Sequence, residues 1–169
     1  MTARSNPSPP NAGHGAANPC NGAVQPCPQA PARPPTAAEL QNNPAVRNAM
    51  AQAWQDSQPD DAANRHEEGG WIYMDTTTGA ISVQRQNAGH RAALDLSQPP
   101  ATPGSVVVGK FHTHPNPTAE GWRPGPSGQD TRVDAAHGVP DLIQADDGSH
   151  VSGPDSRRGG LGGGPGFPP

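Results

Sequence analysis

Apolar residues recur along this chain with two periods, and the switches between them mark out its elements. Val46, Met50, Ala53 and Trp54 are spaced as one face of a helix, which predicts an amphipathic helix over residues 44–57. Asn43-Pro44 starts it, with Asn as the cap and Pro at the first helical position, and Pro59-Asp60-Asp61 ends it. Just upstream, Thr36-Ala37-Ala38-Glu39 is a capping box and predicts a short helical turn. The period then shortens. Trp71-Ile72-Tyr73-Met74 reads as a strand, Thr77-Thr78-Gly79 as a turn, and Ile81 to Arg85 as a returning strand with Ile81 and Val83 alternating. Ala92 to Leu96 predicts a third strand, and Gln98 to Gly104 a loop. Ser105 to Thr113 is the longest apolar run, and its three consecutive valines predict a central strand buried on both faces. Prolines at 115, 117, 124 and 126 make residues 115–126 a loop. Ser127 to His137 predicts a helix capped by Ser127 and stopped by Gly138 and Pro140. Leu142-Ile143-Gln144 and His150-Val151-Ser152 flank Asp147-Gly148, a hairpin signal. Strands interleaved with helical segments place the chain in the α/β class.

Composition narrows how much of the chain enters that core. The 169 residues include 21 glycines and 23 prolines, and only 31% are hydrophobic and 4% aromatic. Residues 1–35 are rich in proline without a helical or strand period, and are read as a disordered or polyproline-II-like leader. Residues 159–169 form a glycine- and proline-rich tail. The folded domain is therefore expected over 36–158, a core small enough to benefit from a metal or a partner. Cys20 and Cys27 fall in the leader with no zinc-ribbon or CxxC spacing, and read as two thiols or one local disulfide.

Charge excludes further classes. The net charge is −4, and no basic stripe exists to gather phosphates, so nucleic-acid binding is not expected. No apolar run approaches the roughly 20 residues of a membrane span. The N-terminus has no apolar signal region, so the expectation is a cytoplasmic protein or one exported without a cleaved signal peptide. Lys110 is the only lysine. It reads as a genome-wide preference for arginine, with an effector's avoidance of lysine-directed tagging in a host cell as the sharper alternative.

Candidate chemistry gathers around the central strand. His112 and His114 are spaced i and i+2, so a strand delivers both imidazoles to one face. Ser127-Gly128-Gln129-Asp130 follows where a helix begins. Two imidazoles and one carboxylate are three of the four positions of a catalytic zinc, with the fourth open. A carboxylate for proton transfer is available upstream in Glu67-Glu68-Gly69-Gly70-Trp71-Ile72-Tyr73. Asp130 competes with a plain capping role, and Asp134 is the substitute ligand one turn later. His66, His90, His137 and His150 read as surface or core histidines, with His137 a favoured cation at a helix C-terminus. Trp122 reads either as a substrate contact or as a packing lid.

The order Glu, His-x-His, Ser-x-x-Asp resembles the JAB/MPN family of zinc metallopeptidases, which carries the JAMM motif, and Glu67 to Tyr73 resembles the family's Glu-x-x-Gly-apolar opening. The likeness covers about residues 44–158. It implies a compact, cytidine-deaminase-like mixed β-sheet flanked by helices. It also implies zinc bound by His112, His114 and Asp130, with Glu67 as general base and Ser127 assisting the oxyanion. The implied reaction is hydrolysis of an amide or isopeptide bond in a protein or peptide substrate. A ubiquitin-like protein, or a bacterial effector or toxin system, is the implied setting. The connection between His114 and Ser127 is longer than the family's usual one, and the extra residues, within Asn116 to Gly125, read as a loop insertion at the site mouth. Two other readings compete. One is a cupin-like metal-binding barrel, suggested by His112-x-His114 with Glu120 nearby and requiring an all-β chain. The other is a JAB-like module that binds without catalysing. Oligomeric state is left open by the sequence.

Overall fold

The computed structural model describes residues 33–158. The expected leader, apart from 33–35, and the tail from 159 lie outside the described residues, as do Cys20 and Cys27. The described chain is α/β, with the element order α1 (Ala37–Asn42), α2 (Pro44–Asp56), β1 (Gly69–Asp75), β2 (Ile81–Arg85), β3 (Ser105–His114), α3 (Gly128–His137), β4 (Asp141–Ala145) and β5 (Gly148–Ser152). The five strands form one mixed sheet in the order β2-β1-β3-β4-β5. Only β3 and β4 run parallel, joined by the crossover that contains α3.

Local chemistry explains the helices. Thr36 and Glu39 close a reciprocal capping box at the start of α1. Asn43 Oδ1 accepts from the backbone N–H of Ala45 at 2.9 Å and of Val46 at 3.4 Å, and Pro44 takes the first position of α2. Val46, Met50 and Ala53 are its buried face. They pack with Leu40, Ile72, Met74, Val108, Phe111 and Leu142, so α1 and α2 cover one face of the sheet. The opposite face carries Trp71, Tyr73, Val107, Leu96 and Val139. There the 86–104 connection crosses, tied by the Tyr73 hydroxyl donating to Pro100 O at 2.7 Å. The expected third strand at Ala92–Leu96 does not form. Among the described residues, its only pairing is an isolated bridge between His90 and Ala93. Its apolar residues are spent on packing instead, with Leu96 buried beneath the loop and Leu94 packed against the same cluster.

One irregularity decides which face receives the histidines. In the β1–β3 ladder Ile72 pairs with Gly109, but Tyr73 pairs with Val107, so Val108 is an extra residue. Val106 and Val108 face α2, and so does Phe111, three residues beyond Val108. The bulge therefore reverses the inside–outside alternation midway along β3. Lys110, His112 and His114 emerge on the face away from α1 and α2.

Glycines at the start of β1 permit the close strand approach. A Cβ on Gly70 would sit 2.2 Å from Gln84 O, and one on Gly69 would sit 2.3 Å from Phe111 O. Gly70→Ala is expected to destabilise the protein by about 1–3 kcal/mol, because the obstacle is backbone on the neighbouring strand. Chemical denaturation would check this. A midpoint equal to that of the unchanged protein would show that β1 and β2 separate without cost.

Candidate metal centre

Three elements build the site. β3 presents His112 and His114, the start of α3 presents Asp130, and the residues leading into β1 present Glu67. His112 Nε2 and His114 Nε2 are 3.0 Å apart. His112 Nε2 lies 3.7 Å from Asp130 Oδ1, and His114 Nε2 lies 3.7 Å from Asp130 Oδ2. Ligands at about 2.0–2.1 Å from one tetrahedral ion sit about 3.3 Å from each other. The three side chains match that spacing and could hold a metal ion.

The outer nitrogens of both rings are already engaged. His114 Nδ1 lies 3.1 Å from Pro124 O. A carbonyl oxygen only accepts, so this nitrogen carries the proton and Nε2 keeps its lone pair. His112 Nδ1 lies 3.2 Å from Asp141 Oδ1, which imposes the same tautomer. Two lone pairs 3.0 Å apart repel each other unless a cation or a proton lies between them. A proton on His112 satisfies that pair in the metal-free protein, and a metal ion could take its place.

Capping and ligation coexist at Asp130. Ser127 caps α3, with its Oγ accepting from Asp130 N at 3.1 Å while Asp130 Oδ2 accepts from Ser127 N at 2.6 Å. The cap holds the carboxylate on the side of the helix that faces the histidines. The substitute ligand Asp134 is not in the cluster. It is fully buried and paired with Lys110 Nζ at 2.7 Å. Glu67 lines the same cleft as the cluster, whereas Glu68 turns away to Arg85 and His66 at 2.5 and 3.0 Å. Alternation along the chain separates the two carboxylates.

No family model, curated protein or solved structure matches the chain. What the site can do is therefore argued from its geometry and electrostatics.

Burial pushes the Glu67 carboxyl up to about 7, partly countered by His112. His112 is fully enclosed, and burial disfavours its charge. Asp141, together with Asp130 and Glu67, outweighs burial and pushes the ring up to about 9 without a metal. Burial and the charge of His112 hold His114 below the ordinary range. Asp141 stays far below the usual carboxylate range, because His112 and Lys110 overcome the cost of its burial.

The cleft over the cluster has a volume of about 730 Å³. One wall is the 92–97 segment, and the other runs from Gly121 to Gln129. The expected insertion is fastened along its first half. Thr118 donates through N and Oγ1 to Asp146 Oδ2 at 2.9 and 3.0 Å, and Arg65 grips Glu120 at 2.8 and 2.9 Å. Asn116 Nδ2 donates to Arg91 O at 2.6 Å. Glu120 is thus committed to arginines, and the cupin-type ligand set is not assembled. The α/β fold removes the barrel reading as well. Trp122 is 40% exposed, on the cleft wall, with the Arg91 guanidinium 5.9 Å from its ring centre.

One sequence expectation needs correction. His137 is not a cation stabilising a helix end. It packs edge-on against Trp71 at 5.1 Å, and burial lowers its pKa. Lys110, the only lysine, is buried between Asp134 and Asp141, a placement that its reading from composition did not address. Asp141 itself was missed altogether, because a single aspartate at the start of a strand carries no motif.

The electrostatics predict how metal-free protein responds to pH. His112 rises from 6.5 to about 9 and Glu67 from 4.5 to about 7, so both bind their protons more tightly when folded. That stability is complete below the unfolded values and is lost as pH rises through the folded ones. The melting temperature of chelator-treated protein is expected to fall between pH 6 and pH 9, and His112→Ala to flatten the upper part of the fall. Metal affinity should rise over the same interval, because the ligands must shed protons. Calorimetry with and without chelator checks both, and a metal-free melting temperature that climbs with pH would contradict the assignment.

Proposed function

We propose that the chain is a zinc-dependent peptidase or isopeptidase of JAB/MPN type, hydrolysing an amide bond in a protein or peptide substrate. The observation that carries the reading is the convergence of His112, His114 and Asp130 within 4.8 Å, with Glu67 in the same cleft. Imidazole and carboxylate donors in a set of three suit zinc and leave a position for substrate. The sheet of mixed direction with helices on its faces is compatible with the fold that the resemblance implies.

A zinc ion held by these residues supplies Lewis acidity, polarising an amide carbonyl and acidifying water. The remaining work falls to the chain. Glu67 has a proton affinity near neutrality, so it can take a proton from the attacking water and return it to the departing amine. The Ser127 Oγ accepts from Asp130 N, which leaves its hydroxyl proton to donate to the oxygen that becomes negative. The cleft between the 92–97 segment and the insertion is large enough for an extended peptide segment. A ubiquitin-like protein, or a target in a bacterial effector or toxin system, is the substrate class that the resemblance favours.

Catalysis and mere binding separate in one experiment. Purified protein is expected to carry about one zinc per chain, and His112→Ala or His114→Ala to lose it. Glu67→Gln should keep the metal while hydrolysis of a diubiquitin or sulfur-carrier fusion falls by about 10²-fold or more, the scale of lost general acid–base catalysis. Glu68→Gln should remain active, because its side chain faces Arg85. Full zinc without turnover in the unchanged protein across such substrates would favour a binding module. Full activity in Glu67→Gln would remove the mechanism.

A further inference from the structure

A row of charged side chains is sealed inside the protein beside the metal cluster. The Lys110 side chain is 3% exposed, and those of Asp134 and Asp141 are 0% exposed. Lys110 Nζ lies 2.7 Å from Asp134 Oδ1 and 3.0 Å from Asp141 Oδ2. The other oxygen of Asp141 is 3.2 Å from His112 Nδ1. Removing such charges from water is costly, and a buried ion pair is often no more stabilising than apolar residues of the same volume. Stability is a weak reason for the row. Its end point is a stronger one, because it terminates on the ring nitrogen opposite the one that faces His114 and Asp130.

We propose that Asp141 is a positioning residue for the metal centre. It accepts the Nδ1 proton of His112 and fixes the ring so that the Nε2 lone pair points into the cluster. Lys110, anchored by Asp134, holds the Asp141 carboxylate in the orientation that does this. The inference rests on the reading of His112, His114 and Asp130 as metal ligands. Backbone geometry supports the row. Lys110 and Asp141 are partners in the parallel ladder, and Lys110 lies two residues before His112, on the same face of β3.

The arrangement explains why a carboxylate is needed. Both its oxygens accept, so one can hold the ammonium and the other the imidazole N–H. An amide cannot serve both partners in the same way. Lys110 only donates, so it would claim the amide oxygen and turn the NH₂ group toward His112. A donor at Nδ1 forces the other tautomer, with the proton on Nε2 pointing into the cluster.

Zinc affinity of the full chain, measured by chelator competition beside thermal unfolding of the zinc-free protein, tests this. Asp141→Asn is expected to weaken zinc binding by about 10–100-fold, the usual effect of losing such a supporting contact. The combination K110M/D134N/D141N frees the amide to turn its oxygen to His112 and leaves no lone charge. It should recover most of the lost affinity, which a purely structural role for Asp141 does not predict. Undiminished affinity in Asp141→Asn, or no recovery in the triple variant, would overturn the proposal while leaving the metal site standing. If either variant fails to fold, ¹⁵N spectra of zinc-loaded unchanged protein decide. Coordination of His112 through Nε2 with a protonated Nδ1 supports the proposal, and coordination through Nδ1 overturns it. Unchanged protein that takes up no zinc would overturn the metal reading, and this inference with it.

Discussion

Charges buried on one face of a sheet must each find an answering charge, and that requirement organises this protein. β3 carries Lys110, His112 and His114 into a layer also occupied by Trp71 and Val139. None of the three is stable there alone. Lys110 is answered by Asp134 from α3 and Asp141 from β4, and His112 by Asp141 and Asp130. α3 therefore has little freedom in where it docks. Its apolar content is slight, and Asp134 is its buried residue. Electrostatic pairing, rather than an apolar stripe, ties it to the sheet.

The site inherits its shape from the same constraint. Because Asp134 fixes the middle of α3, the capped start of that helix brings Asp130 to the histidines. Because the β3 bulge reverses the alternation, those histidines face α3 and not the α1–α2 layer. The glycine pair lets β1 lie close to β2 and β3, which brings Glu67 to the cleft and turns Glu68 out to Arg85. The 115–126 connection, held by Asp146, Arg65 and Arg91, then builds the outer wall and displays Trp122 at its rim.

Much of this was legible in the sequence because it depends on neighbours along the chain. Caps at Thr36, Asn43 and Ser127, the helical spacing of Val46, Met50 and Ala53 and the valine run are all short-range signals, and each formed its element; the hairpin signalled by Asp147-Gly148 also forms, with its turn one residue earlier, at Asp146-Asp147. The pairing of His112 with His114 is equally local, since residues two apart on a strand share a face. The cluster of His112, His114 and Asp130 followed from motif order and does assemble.

Long-range contacts decided the rest. Ala92–Leu96 has the composition of a strand, but no free edge of the sheet pairs with it, so its leucines pack as a loop. Alternation predicts that the histidines share a face but not which one, because one extra residue against β1 exchanges the two faces. Lys110 and Asp141 are 31 positions apart and carry no motif, and only the parallel pairing of β3 with β4 makes them neighbours. His137 stands at a helix end, where sequence favours a charged ring, yet it packs edge-on against Trp71 and burial lowers its pKa. The sequence by itself determined which residues could bind a metal and which elements would carry them. Their facing, their protonation and the buried charges that orient them came from tertiary structure, because each depends on what the rest of the chain places within a few ångströms.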